Sequence, residues 1–370
     1  MKTIQSSVFP QKMQSDKPYQ NGFGYKETVR IKNPKLKSGV YLIDNKIPFV
    51  VKSSKQCDIL IVYSSNTENA YCSNGGKSGY DYNSSQNKAS PILSFNRPMD
   101  LAFHSDEFLR WIATFKNYNI GYISDQDLDD YETIAKAKLL IIPGHSEYWT
   151  RKARENFDLF ISSGKNALIL SGNTMWWQVR YDLVSNQMIC YKDAIKDPEP
   201  TVSLKTINWA ESSLNYSTFS SIGLDFLHGG YGKEEDKGWD GYKIQNNESP
   251  LLNGTRLKKN DILKLETDEY DGAPLKISNN ARNVHLENPL NFYKYELIGF
   301  DRSSGDENAN GSWIVMQKSK YSGVIINTGS TDWCHKSGMK GKDSEIIKKI
   351  TINMIDLLLQ QDKSKLFRNK

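Results

Sequence analysis

The feature that most constrains the fold is an aliphatic run that ends abruptly in polar groups. The segment 139–149 reads Leu-Leu-Ile-Ile-Pro-Gly-His-Ser-Glu-Tyr-Trp, so it delivers a histidine and a carboxylate two residues apart. An uninterrupted apolar run is typical of a strand that is buried on both faces, as in parallel sheets. Ligands of open α/β sheets bind beyond the carboxyl ends of the strands. We therefore predict that His145 and Glu147 lie on a strand-to-helix turn that carries function. The alternative is that both are ordinary turn residues, with Glu147 neutralising a helix N-terminus.

Similar aliphatic runs recur along the chain, at residues 58–63, 138–143, 167–171 and 323–328. Amphipathic segments separate or follow them: residues 107–116, a helix that Thr150 can cap, and a C-terminal helix from about Ser344. Strands that alternate with helices form crossover units in a parallel sheet. The pattern predicts an α/β fold with a mainly parallel sheet flanked by helices.

Residues 190–315 differ in composition from the rest of the chain. They are rich in Asn, Gly, Asp, Lys and aromatic residues, with turn signals at Asn253-Gly254 and Asp271-Gly272. We interpret this region as an irregular β-rich insertion that covers the strand ends. Residues 1–56 are predicted to form an N-terminal β extension, and residues 1–370 a single domain.

The overall composition excludes several functional classes. The 48 basic and 43 acidic residues leave a net charge of only +5, and basic residues cluster only at 363–370, so a nucleic-acid partner is not indicated. No stretch is long and apolar enough to span a membrane, and the first residues lack the apolar core of a signal peptide, so we expect a cytoplasmic protein. Widely spaced cysteines predict reduced thiols rather than disulfides: Cys57, Cys72, Cys190 and Cys334.

Two more polar clusters follow predicted strands. Residues 66–78 form a long polar segment that contains Tyr71 and the pair Gly75-Gly76, which suggests close approach of the backbone to another group. After the third strand, Asn173 precedes Trp176 and Trp177. The tryptophans are more often core or pocket wall than chemical groups, whereas Asn173 is placed to donate a hydrogen bond into the crevice.

Taken together, these motifs resemble the C-terminal part of the large (beta) subunit of N,N-dimethylformamidase and the bacterial proteins that share this domain. The resemblance covers most of the chain, and its motifs are Ser38-Gly39-Val40-Tyr41, the Tyr71 segment, Gly144-His145-Ser146-Glu147-Tyr148-Trp149, Gly172-Asn173 and Gly329-Ser330-Thr331-Asp332-Trp333. It implies a class I glutamine-amidotransferase-like fold that has lost the nucleophilic cysteine.

The resemblance also implies a mononuclear iron held by two tyrosines and a glutamate. Matching the motifs assigns these metal ligands to Tyr41, Tyr71 and Glu147. Phenolate and carboxylate oxygens are hard anionic donors, which suit Fe(III) better than zinc. Such an ion can polarise an amide carbonyl and acidify a bound water. The predicted activity is hydrolysis of the C–N bond of a small amide.

The catalytic residues implied by the same matching are His145, Glu147, Asn173 and Glu266. His145 would orient or deprotonate the water or protonate the leaving amine, and Asn173 would hold the substrate carbonyl. Glu266 corresponds to another pocket carboxylate. The expected partner is a small-molecule amide, and both a homo-oligomer and a separate small subunit remain open.

Two other functions compete with this interpretation. Ser146 could be the nucleophile of a serine hydrolase, although Tyr148 stands where the Gly-x-Ser-x-Gly motif has its second glycine. A non-catalytic module could instead bind carbohydrate or another flat ligand through aromatic residues. The candidates for that role are Trp176, Trp177, Tyr231 and Trp239.

Overall fold

A computed structural model describes residues 10–28, 30, 36–43, 46–99, 104–232, 241–277, 284–303, 309–360 and 362–367. Within these ranges the α-helices are α1 (Pro18–Asn21), α2 (Ser65–Tyr71), α3 (Asp106–Ile112), α4 (Tyr131–Ile134), α5 (Arg151–Ser162), α6 (Thr218–Ile222), α7 (Lys336–Lys340) and α8 (Ser344–Leu359). The strands are β1 (Gly39–Ile43), β2 (Ile47–Val51), β3 (Ile59–Tyr63), β4 (Ile92–Ser94), β5 (Ile120–Ser124), β6 (Leu139–His145), β7 (Tyr148–Thr150), β8 (Asn166–Gly172), β9 (Trp177–Asp182), β10 (Gln187–Ile189), β11 (Asp225–Tyr231), β12 (Gly241–Ile244), β13 (Ile262–Lys264), β14 (Glu269–Gly272), β15 (Leu275–Ile277), β16 (Val284–Leu286), β17 (Lys294–Arg302), β18 (Asn310–Gln317) and β19 (Val324–Asn327).

A nine-stranded sheet organises the described part of the chain, in the order β13-β12-β17-β18-β19-β8-β6-β3-β5. The strands from β19 to β5 are parallel to their neighbours. Those from β13 to β19 pair antiparallel. A second sheet has the order β4-β10-β9-β7, and β1-β2, β11-β14 and β15-β16 form two-stranded sheets.

The predicted fold class, a mainly parallel α/β sheet of the class I glutamine-amidotransferase type, is therefore wrong, because the protein is β-rich and its large sheet is mixed. Only six residues separate β18 from β19. A parallel neighbour needs a longer crossover connection, so these two strands pair antiparallel. Residues 190–315 do not merely cover the strand ends, since β12, β13 and β17 hydrogen-bond into the large sheet.

The four aliphatic runs are nevertheless strands, namely β3, β6, β8 and β19, and they are mutually parallel. The prediction of a capped helix after β7 is also confirmed, since the Thr150 side chain accepts a hydrogen bond from Ala153 N at 2.9 Å. The carboxyl ends of β6 and β8 meet at one edge of the sheet. That edge carries the motifs around Glu147 and Asn173.

Both faces of the large sheet are covered, which explains the continuous apolar runs. Alternate residues of one strand point to opposite faces. On one face Leu60 and Leu140 pack with the α5 residue Phe157. On the other face Ile61 packs with α8, whose residue Met354 is fully buried. The rigid sheet therefore fixes where its strand ends deliver their polar groups.

Several expectations are limited by the part of the chain that is described. Trp239 lies outside the described residues, as do parts of the predicted 1–56 extension and 190–315 insertion. In the described ranges, no helix combines the length and the apolar character that crossing a membrane requires. All four cysteines are free thiols, as expected from their spacing.

Candidate active site

Hydrogen bonds to the backbone of Glu147 fix the turn between β6 and β7, which carries His145 and Glu147. Glu147 N donates to Thr67 Oγ1 at 2.9 Å, and the Glu147 carbonyl accepts from the backbone N–H groups of Trp176 and Trp177, both at 2.9 Å. Gly144 has φ of 81°, and a Cβ there would lie 3.0 Å from the His104 carbonyl carbon and oxygen. Glycine avoids both the backbone strain and this clash.

The Glu147 carboxylate lies in a buried group of phenol oxygens. Tyr80 Oη lies 2.8 and 3.0 Å from the two carboxylate oxygens of Glu147, and Tyr148 donates to Tyr80 Oη at 2.7 Å. The Tyr71 ring packs against Tyr80 at a centroid distance of 4.4 Å, so the Tyr71 hydroxyl comes within the influence of the Glu147 charge. Three oxygen-bearing side chains, Tyr71, Tyr80 and Glu147, therefore converge, and we call them the oxygen cluster.

Burial and charge keep the phenols of the oxygen cluster protonated in the absence of a cation. Burial, followed by the charge of Glu147, raises the pKa of Tyr71 and of Tyr80 well above 10. Burial also raises the pKa of Glu147, while the Lys192 ammonium and hydrogen bonds from Tyr80, Tyr71 and Trp177 act in the opposite direction. The cluster thus concentrates hard oxygen donors. Its phenols can lose their protons only when a positive charge lies nearby.

His145 stands between the buried carboxylate of Glu147 and the half-buried carboxylate of Glu269. Its Nε2 lies 3.5 Å from Glu147 Oε2 and 3.5 Å from Glu269 Oε2, distances too long for good hydrogen bonds. In the part of the chain that the structure describes, His145 Nε2 has no hydrogen-bond partner. Burial lowers the pKa of His145, and the charge of Glu269 opposes this shift. The imidazole is therefore neutral at pH 7 and available to accept a proton.

Asn173 and Glu269 complete the group around His145. Asn173 Nδ2 donates to Glu269 Oε2 at 2.9 Å, while Asn173 Oδ1 is buried and without a partner among the described residues. Burial raises the pKa of Glu269. A carboxyl with a raised pKa can hold and release a proton nearer neutral pH. Two buried polar atoms of this group, His145 Nε2 and Asn173 Oδ1, are therefore without a partner among the described residues and could each bond to a ligand.

Close packing at Gly172 brings β14, and with it Glu269, to the end of β8. A Cβ on Gly172 would lie 2.6 Å from the Glu269 carbonyl oxygen and 2.6 Å from Thr331 N. Tyr270 also forms a β-bridge with Ser330, just beyond β19. The motifs Gly172-Asn173 and Gly329–Trp333 thus meet because their backbones touch.

The predicted carboxylate Glu266 is not part of this group. Its side chain is exposed, and its backbone carbonyl accepts a hydrogen bond from Ser337 on α7. Glu269, three residues further along, lies beside His145 instead. Sequence patterns could not separate the two, because the bend between β13 and β14 decides which glutamate faces inward.

Tyr41 is likewise not part of the oxygen cluster. The sequence predicted that Tyr41, Tyr71 and Glu147 converge, whereas in the structure Tyr80 takes the place of Tyr41. Tyr41 lies on the β1-β2 hairpin, donates to the Lys37 carbonyl at 2.9 Å and stacks on Phe49. It borders a separate cavity of about 710 Å³. Tyr80 lies nine residues after Tyr71 and two residues beyond the polar segment 66–78, and this proximity in sequence is the signal that could have pointed to it.

Ser146 points into the core rather than towards the histidines. It is only 1% exposed, and its Oγ accepts a hydrogen bond from the Trp149 indole at 3.0 Å. Among the described residues Ser146 makes no hydrogen bond to a histidine. The geometry therefore does not support a serine nucleophile at this turn.

Comparison with protein families assigns the chain. The sequence model described as N,N-dimethylformamidase beta subunit-like, C-terminal, matches residues 10–343. The chain belongs to this family. Membership relates it to a hydrolase subunit, and the resemblance noted from the motifs is confirmed. Comparison with curated proteins gave no match.

Three of the solved structures that match are only distantly similar. A ThuA-like protein from Bacteroides uniformis is 12% identical with a TM-score of 0.34, over 85% of this chain and 96% of that chain. The mmIFT52 N-terminal domain is 8% identical with a TM-score of 0.39, over 81% and 97%. A β-galactosidase from Bacillus circulans sp. alkalophilus is 10% identical with a TM-score of 0.35, over 79% and 31%. No conclusion about function follows from similarity at this level.

Proposed function

We propose that this dimethylformamidase-like protein is a metal-dependent hydrolase of the C–N bond of amides. The observation that carries the proposal is the juxtaposition of the buried oxygen cluster with a partnerless imidazole nitrogen on His145. Family membership supports the reaction class. The family is named after the beta subunit of N,N-dimethylformamidase. We therefore also propose that the protein assembles with a separate small subunit.

The donor set fits a ferric ion. In the described part of the chain, no group of three or more His, Cys, Asp and Glu residues could hold a metal, and the ligand set that we propose combines Glu147 with tyrosine oxygens. Tyr71, Tyr80 and Glu147 would provide hard anionic donors, which Fe(III) prefers. A bound ferric ion would supply Lewis acidity towards the amide carbonyl and a bound water.

The residues around the oxygen cluster supply the proton transfers. Neutral His145 accepts at Nε2 the proton of the water that attacks the carbonyl carbon, and Asn173 orients the substrate by hydrogen bonding. The Glu269 carboxyl protonates the amine nitrogen as the C–N bond breaks. His145 then returns its proton through Glu269, and the products are a carboxylic acid and an amine.

A matched pair of glutamate variants tests this assignment. Glu269→Gln removes the carboxyl that protonates the amine while keeping its volume, so we expect kcat for amide hydrolysis to fall on the order of 10²–10⁴-fold. Glu266→Gln changes an exposed side chain of the same segment and is expected to retain full activity. The measurement is initial-rate release of amine from N-methylated small amides by the iron-supplemented protein.

Equal activity of the two glutamate variants would contradict the role of Glu269. Loss of hydrolysis in Ser146→Ala, with correct folding, would instead favour the serine hydrolase. If the iron-supplemented protein hydrolyses no amide, the non-catalytic binding module becomes the better account.

A further inference from the structure

Two groups of contacting aromatic rings lie next to the oxygen cluster, and one of them includes Tyr80, a member of that cluster. Tyr82 packs on Tyr80 at a centroid distance of 5.6 Å. On the other side Trp177 packs on Trp176 at 6.0 Å, Trp176 on Phe226 at 5.5 Å, and Phe226 on Tyr231 at 5.7 Å. We call these six residues the aromatic collar: Tyr80, Tyr82, Trp176, Trp177, Phe226 and Tyr231.

Lys192 closes the gap between the two halves of the aromatic collar. Its Nζ lies 3.5 Å from the Tyr80 ring centroid and 4.9 Å from that of Trp177, and it donates to the Gly79 carbonyl at 3.1 Å. An ammonium over ring faces is attracted by their negative quadrupole. The lysine therefore packs between Tyr80 and Trp177 and links the two halves of the collar.

The two ends of the collar lie beside the two carboxylates that flank His145. Tyr82 packs on Tyr80, whose hydroxyl lies 2.8 Å from Glu147 Oε1. Tyr231 stands directly opposite Glu269 in the antiparallel β11-β14 pair, and directly opposite residues of such a pair place their side chains on the same face. Since Glu147 and Glu269 each lie 3.5 Å from His145 Nε2, the two ends of the collar border the same group.

The collar rings are not ordinary core residues. Tyr82 is 70% exposed and Tyr231 is 62% exposed, whereas Trp176 and Trp177 are half-buried. Large aromatic side chains that border a polar site and remain accessible are typical of ligand-binding walls. The ring faces offer apolar contact. The ammonium of Lys192, which lies between the two halves of the collar, is covered by the faces of Tyr80 and Trp177.

We propose that the aromatic collar binds a flat aromatic group on the amide substrate, so that the protein prefers aryl-substituted amides over purely alkyl ones. The preference rests on the proposed hydrolysis at the oxygen cluster. An aryl group seated between Tyr82 and Tyr231 would place its amide next to His145 and Glu269. Offset or edge-to-face ring contacts favour such a group over an alkyl group of equal volume.

The ratio of two specificity constants tests the proposal. The ratio of kcat/KM for N-benzylformamide to kcat/KM for N-methylformamide is expected to fall about tenfold in Tyr82→Ala and in Tyr231→Ala. Tyr321→Ala, a change at a 79% exposed tyrosine on the β18-β19 connection, is the control and should leave the ratio unchanged. Both collar tyrosines are exposed enough for the variants to fold. An unchanged ratio in both collar variants would overturn the proposal.

A binding measurement keeps the collar testable if no amide is hydrolysed. Quenching of tryptophan fluorescence by N-benzylformamide reports its binding next to Trp176 and Trp177 without any turnover. Saturable quenching that weakens in Tyr82→Ala but not in Tyr321→Ala supports the collar even if the hydrolase proposal fails. Absence of saturable quenching in the unmodified protein would overturn the collar itself.

Discussion

Glu147→Gln is expected to lower amide hydrolysis by about 10³-fold or more. A Lewis-acidic centre contributes several kcal/mol to such a reaction, and each 1.4 kcal/mol is a factor of ten in rate. Glutamine also turns one carboxylate oxygen into a donor that faces the donors Tyr80, Tyr71 and Trp177. The measurement is kcat/KM for N-methylated amides with the iron-supplemented protein.

The matched control is Glu345→Gln, which alters a glutamate whose side chain is 85% exposed on α8. It is expected to retain full activity, because the Glu345 side chain is exposed and its ion pair with Lys348 is a surface pair of small energy. Activity of folded Glu147→Gln within tenfold of the unmodified protein would remove Glu147 from the reaction.

Arg97→Met is expected to be the most destabilising single change, lowering the free energy of unfolding by roughly 4 kcal/mol or more. The Arg97 guanidinium is buried and donates to the carbonyls of Asn69, Cys72, Asn74 and Lys77 at 2.6 to 2.9 Å. Three of these carbonyls lie in the segment between Tyr71 and Tyr80, and the fourth, that of Asn69, lies on α2 just before Tyr71. Methionine fills similar space but leaves these buried or part-buried carbonyls without their donor, and each group left buried and unsatisfied costs about 1–3 kcal/mol.

Urea unfolding followed by circular dichroism measures the effect of Arg97→Met. Arg110→Met is the control, since that side chain is 64% exposed and pairs with Asp106 only at 3.9 Å. We expect it to change the unfolding free energy by less than about 0.5 kcal/mol. Similar midpoints for the two variants would show that Arg97 does not hold the tyrosine-bearing segment.

Local sequence signals were sufficient to locate half of the candidate site. The run 139–142 could only be a buried strand, and a strand of that kind ends at a fixed sheet edge, which placed His145 and Glu147 correctly on its turn. Asn173 followed from the same reasoning on β8, because parallel neighbours end at the same edge. These residues depend on contacts that each strand makes with its immediate neighbours.

The remaining site residues depend on non-local packing. Glu269 is selected over Glu266 because Gly172 lets the β14 backbone approach β8 closely. Tyr80 is selected over Tyr41 because Arg97 and the hydrogen bond from Gly79 N to the Ala70 carbonyl fold its segment back onto α2. Neither contact leaves a periodic or compositional signal in the sequence.

The prediction of the fold class was wrong for a related reason. The strands β12, β17 and β18 come from a region whose composition indicates turns and irregular structure, and their place in the large sheet is fixed only by pairing with β19. Single-strand patterns do not reveal which partner a strand takes. The short β18-β19 connection was the available evidence for an antiparallel half.

The iron content of the purified, iron-supplemented protein tests the central claim most directly, measured by elemental analysis together with the visible absorption spectrum. The unmodified protein and Tyr41→Phe are expected to hold about one iron per chain and to be coloured, because tyrosinate bound to Fe(III) absorbs visible light. Tyr80→Phe removes one donor of the oxygen cluster and should lose most of the iron and the colour. A colourless, iron-free unmodified protein, or full iron occupancy and unchanged colour in Tyr80→Phe, would contradict a ferric centre at Tyr71, Tyr80 and Glu147.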